Sequence, residues 1–301
     1  MAGDDQCPDL DLAFSCSYWT ENNKLSPNEV IQNFIEFKTE YFIKMWKRFR
    51  INWTFPTEVL YFAFVFYTHY LHSTIFDQRL DLWGADEAPD LTSLLVYIHG
   101  GYWQEGDKSL STSLVEPLVQ HGICVAVVGY DLAPAKTIVQ IAQQIVQALQ
   151  WLTKRYPNCK LTVAGHSAGA HLAVKAIEIS ETDLKIHKLA LFCGVYTKLE
   201  ELKDTYIGKN IRLNLDTALE ANVNFEKFLQ NFSPGHILIL NAEYDAPKIK
   251  DQKNWLEENL KSSSINFHSM TISNTNHFSI IEGLNSMEET QTKALLKFIK
   301  D

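Results

Sequence analysis

The chain has 301 residues, 46% of them apolar and 12% aromatic, enough to build a large buried core and too many for a disordered polymer. Its formal net charge is −9 with no basic stripe, which removes the electrostatic footprint of a nucleic-acid binder and leaves the acidity to serve solubility. Five cysteines (Cys7, Cys16, Cys124, Cys159 and Cys193) form no C-x-x-C pair, and their odd number and irregular spacing imply free thiols, a reducing compartment and no metal site.

Taken in chain order, the acidic N-terminal stretch lacks the apolar run of a signal peptide. The sequons Asn52-Trp53-Thr54 and Asn231-Phe232-Ser233 therefore read as chance matches. Ser26-Pro27-Asn28-Glu29 starts a helix: Ser26 caps it, Pro27 suits the first turn and Glu29 completes a capping box. Val30, Phe34, Phe37, Tyr41 and Met45 follow at helical spacing, so residues 1–72 are expected to form an N-terminal helical or cap segment. Val59 to Leu71 is the most membrane-like run, but it is too short to span a bilayer and contains His69; core or lid surface is the expectation.

Ile75 to Trp83 reads as a strand bounded by Gly84. Short apolar runs then recur at Leu94–Ile98, Ile123–Val128, Leu161–Ala164, Leu189–Phe192, Ile237–Leu240 and Phe267–Ile272. Helical segments such as Ile138–Leu152 and Ala170–Ile179 fill the intervals. Strand–helix alternation of this kind predicts a single α/β domain over 1–301, with a mostly parallel sheet covered on both faces. The less regular stretch within 198–232 is the expected lid.

Three stretches carry chemistry. Leu161–Ala164 runs into Gly165-His166-Ser167-Ala168-Gly169 and then a helix, which is the strand–turn–helix setting of a G-x-S-x-G nucleophile elbow. Glycines at 165 and 169 let the turn tighten until the Ser167 hydroxyl stands clear of the sheet. His166 and His171 beside it are expected to pack or to support the site from behind. Leu94–Ile98 runs into His99-Gly100-Gly101-Tyr102-Trp103, an oxyanion-type loop: Gly100 and Gly101 allow close backbone approach, the Ala168 N–H is the second donor, and His99 orders the loop. Tyr102 and Trp103 either wall an aromatic substrate or pack on the sheet.

With a serine on such an elbow, the acid and then the histidine follow in the chain. Asp245, just past Ile237–Leu240, is the chosen acid, with Glu243 as runner-up and Asp251 drifting into the next helix. His277, after the last strand, is the chosen base; His268 lies within a strand-like run.

Together these residues describe an α/β-hydrolase fold and resemble the kynurenine formamidases (arylformamidases), a branch of the hormone-sensitive-lipase-like esterases. The likeness rests on His99–Trp103, on Val128-Gly129-Tyr130-Asp131-Leu132-Ala133-Pro134, on Ala164–Ala173, and on Asp245 with Asn276-His277-Phe278, covering roughly residues 75–301. Ser17-Tyr18-Trp19 is similar to the family's opening, whereas the aromatic Trp53–Leu71 stretch departs from its pattern. The resemblance implies a Ser167–Asp245–His277 triad, an oxyanion hole of Gly100, Gly101 and Ala168, no cofactor, a cytoplasmic location, and hydrolysis of N-formyl-L-kynurenine to L-kynurenine and formate. The expected partner is thus a small aromatic formamide, with no nucleic acid and no membrane; a homodimer is compatible with this reading and not fixed by it. A broader carboxylesterase or arylesterase would use the same residues, and a non-catalytic binder of the same fold is the reading of a different class.

Overall fold

The computed structural model describes residues 10–19, 25–49, 80–84, 91–232 and 235–301. The aromatic Trp53–Leu71 stretch and the first residues of the predicted Ile75–Trp83 strand lie outside the described residues. The strand itself is seen as β1, Leu80–Trp83.

The core is a seven-stranded sheet in the order β1-β3-β2-β4-β5-β6-β7, with β1 antiparallel and every other neighbouring pair parallel. The remaining strands are β2 (Ser93–Ile98), β3 (Cys124–Val128), β4 (Lys160–His166), β5 (Ile186–Phe192), β6 (His236–Tyr244) and β7 (Asn266–Asn276). β3 is buried along its whole length and β2 along all but its first residue, as befits parallel strands covered on both faces. The main cover is α4 (Ile138–Arg155), capped by Thr137 and Gln140, and α5 (Ala168–Ile179). α1 (Leu10–Phe14), α2 (Pro27–Phe49) and α3 (Val115–Gln120) precede them. The Ser26–Glu29 capping box forms as predicted, with the Ser26 N–H 2.8 Å from Glu29 Oε2 and the Glu29 N–H 3.3 Å from Ser26 Oγ.

Strand direction is what places the site. The chain passes from β2 to β3 on one side, then crosses to β4 on the other, so the loops leaving β2 and β4 part at the point where the strand order reverses. Ligands in open α/β sheets bind at such a switch point, outside the carboxyl ends of the strands. Ile98 lies opposite Gly165, and His166 opposite Phe192, which brings the oxyanion-type loop and the elbow side by side. β6 and β7 end on the same edge.

The expected lid region is four short helices: α6 (Leu199–Leu202), α7 (Tyr206–Asn210), α8 (Leu215–Ala221) and α9 (Phe225–Phe232). They are followed by α10 (Pro247–Lys261), α11 (Ser279–Glu282) and α12 (Thr290–Lys300). Asn231, part of a sequon, uses its amide to cap the end of α5, donating to the carbonyls of Ile177, Glu178 and Ser180 at 2.9, 3.0 and 3.1 Å.

One boundary differs from its prediction. β7 does not stop at Ile272 but continues through polar Ser273–Asn276, so His277 follows the strand directly. Backbone pairing extends it: the ladder with β6 shifts register between Ala242 and Tyr244 and resumes at Tyr244 opposite Asn276. Such an irregularity re-aims the residues beyond it, and here those are Asp245 and His277.

Candidate active site

Ser167 sits between β4 and α5 with φ 55° and ψ −119°, a conformation that costs a non-glycine residue about 1–3 kcal/mol. Its backbone is tied on both sides. The N–H donates to the Phe192 carbonyl at 2.8 Å, and its carbonyl accepts the N–H groups of Ala170 and His171 at 3.0 and 3.2 Å. The flanking glycines have no alternative: a Cβ at Gly165 would lie 2.3 Å from the Gly169 carbonyl oxygen, and one at Gly169 2.1 Å from that of Ile98. Ala168 opens α5, so its N–H lacks an intrahelical partner by position and stands at the positive end of the helix dipole.

The oxyanion-type loop presses against this elbow. A Cβ at Gly100 would meet Ser167 Cβ at 3.1 Å, and Gly101 adopts φ +111° with only 2.2 Å between an added Cβ and the Glu105 carbonyl oxygen. His99 orders the loop as expected, its Nδ1 lying 2.8 Å from the Gly100 carbonyl oxygen. The brace that sequence reasoning did not single out is Tyr130. Its ring stacks on His99 at 4.2 Å, and its hydroxyl donates to the His99 carbonyl at 2.9 Å. Asp131, next to it, is locked to Gln144 of α4 by two hydrogen bonds of 2.8 and 2.9 Å. The Tyr130-Asp131 pair was visible as a motif; that it ties the loop to α4 required the fold.

At the ends of β6 and β7, Asp245 and His277 meet. His277 Nδ1 lies 2.9 Å from Asp245 Oδ2 and 3.1 Å from Oδ1, and Oδ1 also accepts the Ala246 N–H at 2.7 Å. Asp245 is 1% exposed, His277 3% and Ser167 2%, so all three are shielded from bulk water. The runner-up Glu243 is exposed and accepts the Asn274 N–H at 2.8 Å, bracing the β7 end. His268 is exposed on β7. Asn276 shapes the turn after His277, its Oδ1 accepting the N–H groups of Phe278 and Ser279 at 2.9 and 3.0 Å.

Electrostatics separate the histidines. Burial alone would depress the His277 imidazolium, but the Asp245 carboxylate and the neighbouring Cys16 outweigh it and raise the group well above its ordinary value. Burial, and then the His277 charge, push His166 well below its ordinary value; burial takes His99 and His171 down to about 4. His166 is therefore a neutral supporting group, its Nε2–H donating to the His277 carbonyl at 2.9 Å with ring centroids 4.6 Å apart. His171 ties α5 to α8 through the Ala221 carbonyl at 2.8 Å.

Tyr102 and Trp103 part company. Trp103 is 0% exposed, edge-on to His171 at 5.2 Å, with its indole N–H unpartnered, so its ring packs inside the protein. Tyr102 is partly exposed and donates from its hydroxyl to the Phe14 carbonyl at 2.6 Å. The larger surprise is Cys16, carried on the 3-10 turn Cys16–Tyr18. Among the described residues, one donor atom each from Cys16, Asp245 and His277 lies within 4.8 Å of the others, and all three residues are buried. Sequence spacing could not bring these three residues together because they lie far apart in the chain; the fold does.

A mostly parallel sheet with a strained serine on an elbow, and an Asp–His pair on the same sheet edge, defines an α/β hydrolase, and residues 95–267 match the family model of the alpha/beta hydrolase fold. The chain is 32% identical over 232 residues to the kynurenine formamidase of Danio rerio, covering 74% of this chain and 78% of that protein. It is 30% identical over 220 residues to that of Drosophila melanogaster, covering 68% and 72%. The chain belongs to the kynurenine formamidase family. Among solved structures, a candidate thioesterase from Silicibacter superposes with a TM-score of 0.70 at 22% identity, covering 97% of this chain and 99% of that one, a likeness of fold. No helix among the described residues is long and apolar enough to cross a membrane.

Proposed function

We propose that this hydrolase cleaves the formamide bond of N-formyl-L-kynurenine, giving L-kynurenine and formate through an acyl-enzyme on Ser167. The observation that carries the reading is the buried Asp245–His277 pair on the sheet edge shared with the strained Ser167, in a chain of this family. Asp245 accepts from Nδ1 and so leaves Nε2 of His277 as the basic nitrogen. His277 takes the hydroxyl proton as Ser167 attacks the formyl carbon, and the oxyanion is met by backbone N–H groups of Gly100, Gly101 and Ala168. The imidazolium returns the proton to the departing arylamine. Water, activated by the same imidazole, then releases formate and regenerates Ser167.

A formyl group needs little room on the acyl side, which suits a loop held as close to Ser167 as Gly100 is. Tyr102 borders the aromatic side. The described N-terminal turn Cys16–Tyr18 lies beside the Asp245–His277 pair, the short helices within 198–232 are the candidate lid of the single domain, and the free thiols suit a cytoplasmic setting. The deciding experiment compares kcat/KM for N-formyl-L-kynurenine with that for p-nitrophenyl acetate, alongside fluorophosphonate labelling. Preference for the formamide with label on Ser167 is the expected result. Strong preference for the ester makes the protein a broader esterase, and absence of label makes it a binding protein.

A further inference from the structure

Cys16 has no part in the proposed hydrolytic cycle, yet the fold buries its thiol against Asp245 and His277. We propose that Cys16, His277 and Asp245 form a regulatory zinc site in which a bound Zn²⁺ ion takes the base and its orienting acid out of action. The proposal rests on the reading of His277 and Asp245 as base and acid.

The donor set selects the metal. One sulfur, one imidazole nitrogen and one carboxylate oxygen suit a borderline-soft ion, whereas Mg²⁺ and Ca²⁺ seek oxygen shells. Charge also balances: on binding, the Cys16 thiol releases its proton to solvent, and the thiolate and carboxylate together neutralise Zn²⁺ in a buried place where net charge is costly. His277 contributes Nδ1, whose proton, now donated to Asp245, moves to Nε2 when the ring is neutral and leaves to solvent when the ring is protonated, and the fourth tetrahedral position is left for water.

Distances fit with small movement. Zinc bonds of about 2.0–2.3 Å in a tetrahedron set donor atoms roughly 3.5 Å apart. The Asp245–His277 contact, now 2.9 Å, must open slightly, and Cys16, within 4.8 Å of both, must move in by about an ångström. Among the described residues, hydrogen bonds tie the segment carrying Cys16 to its surroundings, including Asp11 accepting the Tyr206 N–H. Tyr102 donates to the Phe14 carbonyl, Ser15 lies 3.4 Å from the Tyr206 hydroxyl, and the Trp19 indole N–H donates to the Leu12 carbonyl at 2.9 Å. The movement asked of Cys16 falls on a three-residue 3-10 turn outside the sheet.

The test titrates zinc chloride into the full chain and reads turnover relative to each variant's own zinc-free rate. Zinc should inhibit the wild type reversibly, with EDTA restoring the rate. Cys16→Ser and Cys16→Ala should each raise the inhibiting concentration at least about tenfold. Cobalt supplies a readout besides activity: Co²⁺ should give a thiolate charge-transfer band with the wild type and with Cys159→Ser, but none with Cys16→Ser. Equal zinc sensitivity in both Cys16 variants, a cobalt band that survives Cys16→Ser, or its loss in Cys159→Ser overturns the site. Failure to hydrolyse formylkynurenine is a separate outcome, because the cobalt band, and the protection of Ser167 from fluorophosphonate by zinc, are read without that substrate.

Discussion

The sheet edge and its helical cover are built on different physics. At the edge, backbone decides: Ser167 is strained and pinned through its own N–H and carbonyl, and Gly165, Gly169 and Gly101 sit where a single added methyl group has no space. In the cover, side chains reaching across long stretches of sequence decide. The buried Lys175–Glu178 pair of α5 holds the segment between α8 and α9, with Lys175 donating to the Asn222 carbonyl at 2.9 Å and Glu178 accepting the Asn224 N–H at 2.9 Å. Asp11 of α1 accepts the Tyr206 N–H of α7. The difference teaches that Ser167 is fixed through backbone and glycine sterics, while the helices around it are joined by side chains that a single substitution can remove.

The largest test of the rigid edge is Ser167→Ala, expected to lower kcat by about 10⁴-fold or more while circular dichroism and the melting transition stay intact. Residual turnover near the wild-type rate contradicts the assignment. Asp245→Asn follows, with an expected loss of about 10⁴-fold. Its pH profile is equally informative. The base must be neutral to accept a proton, so kcat/KM should rise with pH, and because Asp245 raises the His277 imidazolium the acid limb should lie above the ordinary histidine value of about 6.5. Removing the carboxylate takes away the larger of the two raising influences and leaves burial opposed only by Cys16, so the limb of the residual activity should move to lower pH.

In the cover, Lys175→Met strands a buried carboxylate and should cost about 3–5 kcal/mol in denaturant unfolding. A smaller loss would mean that the Glu178 carboxylate is adequately held by the Asn224 N–H alone. The smallest effect belongs to Tyr102→Phe, which removes one hydrogen bond to Phe14 worth about 1 kcal/mol. It should alter KM for formylkynurenine more than kcat. Equal effects on both would place Tyr102 in the reacting geometry rather than on the substrate's aromatic side.

What could be read along the chain follows the same division. Strand and helix periodicity gave each strand visible in the structure, and the Gly165–Gly169 turn, the His99–Trp103 loop, Asp245 and His277 could be picked out because each is a local pattern next to a strand end. That Asp245 rather than Glu243 faces His277 was within reach for the same reason, since one residue separates a side chain on the ladder from one past it. Trp103 was not decidable: whether an aromatic beside a loop faces a substrate or the interior depends on what packs over it, and His171 does. The length of β7 was hidden because polar Ser273–Asn276 carries no apolar signal and is held in the sheet by Asn276 pairing with Tyr244 of β6 and by Glu243 accepting the Asn274 N–H.

By itself, then, the amino-acid order determined the chemistry on offer and the strand ends from which it projects, since glycine sterics, helix capping and strand alternation act between near neighbours. Only the tertiary structure decided that Cys16 lies against His277, that Tyr130 braces the oxyanion-type loop, and that His166 donates to the His277 carbonyl. Those contacts join residues from 31 to 261 positions apart, and no local rule relates them; they exist because a parallel sheet gathers the carboxyl ends of its strands on one edge and the N-terminal turn closes over it.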